Sequence, residues 1–193
     1  MNRRITIPVL LAALVISPAP AFTQGHGHAH LHGIASLQIA VDGSTLTLRL
    51  RTPLENLVGF EHAPRTEQQK KAVADMEQRL GMPESHFAPT TAAGCTPVAT
   101  KLDSPFPATA KTEKGGSGDQ AKGAAHKDGK ERDVHAELSA EFVFRCQSPD
   151  RLQGIEVKLF DRFSKLRRVD VELAGPRGQK SYRLTAKSRV AKW

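Results

Sequence analysis

The chain has 193 residues, 39% hydrophobic and 25% charged, with a formal net charge of +8 and only two cysteines. That length suits one domain, or two small ones sharing a core, and a single domain is the simpler expectation. Basic charge alone fits a nucleic-acid binder, but no aromatic interleaving or nucleic-acid motif accompanies it, and no apolar run beyond the N-terminus is long enough to span a membrane, so both classes are set aside.

Arg3 and Arg4 precede an uncharged stretch, residues 5–16, made mostly of Ile, Leu, Val and Ala. It is too short to cross about 30 Å of hydrocarbon and breaks at Ser17-Pro18, before Ala19-Pro20-Ala21, the small-residue pattern that a signal peptidase accepts. Residues 1–21 are therefore expected to be a cleaved signal peptide, leaving an exported, periplasmic protein of net charge +6 once the two arginines are gone. No cysteine near the cleavage point offers a lipid anchor. Cys95 and Cys146 then occupy a compartment where disulfides persist, and two cysteines allow one internal pairing. A bridge closing about fifty residues would contribute roughly 4 kcal/mol by restricting the unfolded chain.

Residues 22–33 read as a flexible, histidine-rich start to the mature chain. His26, His28, His30 and His32 stand at every second position, so an extended backbone sends all four imidazoles to one side. Imidazole nitrogen binds zinc at about 2 Å, and copper and nickel suit it too. If the alternation runs on into the following strand, His30 and His32 share its polar side with Gln38. Each imidazole must be neutral to bind, so affinity is expected to fall below about pH 6.5.

Residues 34–193 read as one α+β domain. Leu37, Ile39 and Val41 alternate with polar residues, Asp42-Gly43 marks a turn, and Leu46, Leu48 and Leu50 resume the alternation, which is a β-hairpin with one buried face. The stretch Asn56 to Pro64 sets Glu61 and His62 side by side. Glu61 is a candidate metal ligand, or a group that orients a histidine ligand by accepting its second N–H; the plain alternative is two polar residues flanking a buried Phe60. Thr66 with Gln69 forms a capping-box pattern, and Val73, Met76 and Leu80 recur at helical spacing until Gly81 and Pro83 stop the helix. His86, beside Phe87, reads as a satisfied, semi-buried histidine.

A short strand over 95–101 leads into a low-complexity segment, residues 104–130, rich in Lys, Gly, Ala, Pro and Ser and expected to be a mobile loop. His126 lies within it, an auxiliary capture ligand at most. From Val134 to Cys146 apolar residues fall on alternate positions, placing Cys146 on the buried face and His135 on the polar one. Ser148-Pro149-Asp150 marks a turn or short helix, Ile155, Val157 and Leu159 alternate, 166–173 reads as a strand, and Pro176-Arg177-Gly178 turns into a last strand carrying Tyr182 and Leu184. Strands with one principal covering helix argue for a mainly antiparallel sheet.

No Gly-x-Ser-x-Gly elbow, P-loop, dinucleotide fingerprint or His-Glu-x-x-His is present, so an enzyme is not expected. His30-Leu31-His32-Gly33, the hairpin, Asn56 to Pro64, Gly94-Cys95, Phe142 to Cys146 and Leu159-Phe160 together make nearly the whole mature chain resemble the ZrgA-like family of exported zinc-uptake accessory proteins. The resemblance implies a periplasmic protein that captures or buffers zinc as cargo and works with zinc-uptake transporter components. It also strengthens Glu61 and His62 as site residues. Members of that family commonly carry a loop rich in His, Asp and Glu where this chain has a Lys- and Gly-rich one, which leaves His26, His28, His30 and His32 as the main binders, with His62, Glu61 and His135 as candidates for a structured site. The competing expectation is an envelope interaction protein with a basic surface, its histidines serving copper binding or nothing specific. Oligomeric state has no sequence signature.

Overall fold

The computed structural model of the chain describes residues 32–107 and 136–193. The expected signal peptide, His26, His28, His30, His126, His135 and most of the low-complexity segment lie outside the described residues.

The hairpin forms as its alternation dictates. Strand β1 (Ile34–Asp42) pairs antiparallel with β2 (Thr45–Pro53), Asp42 opposite Thr45, so the connection is the two residues Gly43 and Ser44. Leu37, Ile39, Leu46, Leu48 and Leu50 are all buried, while Gln38, Arg49 and Arg51 face the other way. A one-turn helix, α1 (Glu55–Val58), follows, and then α2 (Glu67–Leu80). The α2 start carries the full capping box: Thr66 accepts from the Gln69 backbone N–H, and the Gln69 side chain accepts from that of Thr66. Val73, Met76 and Leu80 are its buried face.

Strand β3 (Phe87–Pro89) leads to β4 (Cys95–Asp103), which pairs antiparallel with β5 (Glu137–Cys146). Cys95 and Cys146 stand opposite each other in that ladder and are joined by a disulfide 51 residues apart in sequence. Along β5 every second residue from Leu138 to Cys146 is buried. After a 3₁₀ turn over Pro149–Arg151 come β6 (Gly154–Val157), a second such turn over Leu159–Asp161, β7 (Arg168–Gly175), β8 (Gly178–Leu184) and β9 (Val190–Lys192). Strand β7 begins two residues later than the alternation implies, because Leu166 is buried in the turn before it.

The strands form a six-stranded sheet, β4-β5-β2-β1-β7-β8, and a three-stranded sheet, β3-β6-β9. Every pairing is antiparallel except β1 with β7, so the expected mainly antiparallel α+β fold is what forms, with one parallel seam in the large sheet. The inner faces of both sheets and of α2 share one hydrophobic core, and Phe87 of the small sheet packs on Phe142 of the large one with ring centroids 5.1 Å apart. The outer face of the large sheet carries cross-strand ion pairs, Arg49 with Glu141 and Arg51 with Glu137. No helix among the described residues is long and apolar enough to cross a membrane.

His86 is fully buried between α2 and the turn after β6, with its Nε2 2.9 Å from the carbonyl oxygen of Arg79 and its ring against Phe163. Burial lowers its pKa below the ordinary 6.5; the Arg79 carbonyl opposes this, Arg162 and Arg79 add to the lowering, and Glu84 offsets part of it. A lowered folded-state pKa means that the unfolded chain takes up the proton first as pH falls. The contribution is therefore complete above about pH 6.5 and is lost progressively as pH falls from there toward the lowered folded value. Thermal melts between pH 7.5 and 5.5 are expected to show this loss in the wild type and a shallower one in His86→Gln, whose amide can still donate to Arg79.

Candidate metal centre

The site is assembled around Asn56, a buried amide on α1. Its Oδ1 accepts from the Gly33 backbone N–H at 2.6 Å, and its Nδ2 donates to the Ile34 carbonyl at 2.9 Å and to Thr52 Oγ1 at 3.0 Å. One side chain thus ties the beginning of β1 and the end of β2 to α1. Gly33 has φ 80, a conformation that favours glycine, and its carbonyl accepts from the backbone N–H groups of both Arg167 and Arg168. This turn keeps His32 off the strand: β1 starts only at Ile34, so His32 does not continue its polar side but projects from the turn before it.

His32 is there brought to two carboxylates. Its Nδ1 contacts Glu55 Oε2 directly and lies 4.0 Å from Glu61 Oε1. Glu55 opens α1, and Gly59, at φ 93, closes the same turn by donating its N–H to the Glu55 carbonyl, which reverses the chain and returns Glu61 to the site. His32, Glu55 and Glu61 each offer one ligand atom, all within 4.8 Å of one another. Ligand atoms around a tetrahedral zinc with bonds of about 2 Å lie roughly 3.3 Å apart. An ion entering here would part the His32–Glu55 contact and draw Glu61 inward, both small movements for side chains that are partly solvent-exposed. One imidazole and two carboxylates suit zinc, and three protein ligands would leave a fourth position open for another imidazole, for water or for a receiving protein.

The sequence-derived candidates divide accordingly. His32 and Glu61 come together. His62 stands apart from the cluster: its ring stacks on Phe60 at 5.2 Å and its Nδ1 lies 2.9 Å from the Ala63 carbonyl oxygen. His26, His28, His30 and His135 fall outside the described residues. Glu55 was not among the sequence-derived candidates, and its only signal is adjacency to Asn56. Lys165 also reaches the site, its Nζ 3.5 Å from Glu55 Oε1.

The model of a family described as "ZrgA family zinc uptake protein" matches residues 29–193. No curated protein matches the chain.

Asn56→Ala is expected to strand the Gly33 N–H and the Ile34 carbonyl and to destabilise the protein by about 2–4 kcal/mol, with an unchanged m-value in urea unfolding. Asn56→Asp, which can accept from Gly33 but not donate to Ile34, should fall between the two.

Proposed function

The chain belongs to the ZrgA family of zinc uptake proteins, and from that premise we propose that it is a periplasmic zinc-binding protein which captures or buffers zinc as cargo and passes it to an uptake transporter. The observation that carries the reading is the convergence of His32, Glu55 and Glu61, which the fold holds together from two separated segments. His26, His28 and His30 precede this cluster directly in sequence and supply additional imidazoles for capture. The role is binding and transfer, not catalysis.

Two features support export and a borderline metal. Cys95 and Cys146 are joined as a disulfide, a bond that persists in oxidising compartments such as the periplasm. With both sulfurs so engaged the cluster offers only nitrogen and oxygen, a donor set poorly matched to copper(I) and well matched to zinc.

Calorimetric zinc titration of the mature protein tests this, with His32→Ala/Glu55→Gln/Glu61→Gln and His26→Ala/His28→Ala/His30→Ala as variants. Loss of an outer-shell partner alone commonly weakens a metal site about tenfold or more. The first variant is therefore expected to lose at least that much affinity at the tightest site, and the second to lower the stoichiometry. Unchanged affinity and stoichiometry in both would overturn the proposed function.

A further inference from the structure

Glu55 serves two partners at once. Its Oε2 meets His32 Nδ1, while its Oε1 lies 3.5 Å from the ammonium of Lys165, which is also 3.5 Å from the Gly59 carbonyl oxygen. The lysine is held by more than its own ion pair. Its backbone carbonyl oxygen lies 3.4 Å from where a Cβ on Gly33 would stand, and the neighbouring Arg167 and Arg168 donate their backbone N–H groups to the Gly33 carbonyl. The segment bearing Lys165 therefore packs against the residue that follows His32, while its side chain reaches the residue that closes α1.

An ammonium has no lone pair and cannot be a zinc ligand, but it can neutralise the same carboxylate that zinc needs. A dication bound through Glu55 would come within about 2 Å of that carboxylate, with the Lys165 charge beside it. Binding must then either loosen the Lys165–Glu55 pair or bear the repulsion of the ammonium, and either one lowers affinity.

We propose that Lys165 is a resident counterion that zinc displaces from Glu55, and that it holds the affinity of the His32–Glu55–Glu61 site below its charge-free value so that the cargo can leave. This rests on the proposed zinc site itself. The side chain is about half exposed, so water weakens the effect without abolishing it. Removing the charge while keeping the aliphatic stem should tighten zinc binding by about three- to thirtyfold, the range given by a divalent and a monovalent charge roughly 12 to 4 Å apart in a largely aqueous dielectric.

The experiment uses the mature chain with His26, His28 and His30 changed to alanine, and measures zinc affinity by competition with a chromophoric chelator and zinc release into excess EDTA by stopped flow. Lys165→Met is expected to bind more tightly and release more slowly, Lys165→Arg to remain near the starting protein, and the gap between Met and Lys to narrow as salt is raised. Far-UV dichroism and a thermal melt of each variant check that the fold is kept, and Lys165→Gln provides a second neutral side chain. Unchanged or weaker binding in both Lys165→Met and Lys165→Gln overturns the counterion role. Glu55→Gln/Glu61→Gln separates the two ideas: if it weakens zinc binding while the neutral Lys165 variants do not tighten it, only the counterion role fails, whereas if it leaves binding unchanged, the site and the counterion role fail together.

Discussion

The buried Asn56 amide is the contact on which the candidate metal centre depends. His32 is itself exposed, and its side chain meets Glu55 at the surface. What places it is the backbone just after it, Gly33 and Ile34, both hydrogen-bonded by Asn56. The next residues along α1 then decide where the carboxylates go, since Glu55 precedes Asn56 and the turn ending at Gly59 leads back to Glu61. A binding site made of flexible polar side chains is thereby supported by one rigid, fully engaged amide, with both of its N–H donors in use.

That amide can be rigid because of what lies behind it. Two residues before Asn56, Leu54 is fully buried and its N–H donates to the Ala136 carbonyl, so the start of α1 is pinned to the residue just before β5. The parallel pairing of β1 with β7 supplies the other side, bringing the segment with Lys165 and Arg167 and the first residue of β7, Arg168, beside Gly33. The Cys95–Cys146 bridge ties the outer strand β4 to the end of β5 opposite Glu137 and Leu138, which pair with β2. The core thus fixes the scaffold, and the site occupies the place where three of its connections meet.

Much of this scaffold was legible in the sequence, and the reason is locality. Alternation in β1, β2 and β5 and the Thr66–Gln69 box are patterns complete within a few residues, and each forms as written. The short strands β3 and β9 carry too few residues to show a period, and the parallel β1–β7 seam joins segments 134 residues apart at Gln38 and Glu172, which no local pattern records. The site was half legible. His32 and Glu61 stood out by residue type, but adjacency to Glu61 gave His62 a prominence that its stacking on Phe60 does not sustain, and Glu55 was hidden because a carboxylate at the start of a helix is ordinary. Gly33 was the missing clue: a left-handed glycine just before β1 keeps His32 off the strand and turns it toward α1.

A cargo site has to satisfy two opposed demands, selectivity on capture and release on delivery. The proposed site, a single imidazole with two carboxylates, open on one side and already paired with an ammonium, would be a weaker cage than the four-ligand sites that hold structural zinc permanently. The most direct measurement of this arrangement is a crystal structure of the zinc-loaded mature protein with anomalous data collected on either side of the zinc edge. The expected result is an anomalous peak bonded to His32, Glu55 and Glu61 at about 2 Å, with Lys165 drawn away from Glu55. A zinc peak elsewhere in the folded domain, with His32 and Glu55 still in contact and no metal between them and Glu61, would contradict it.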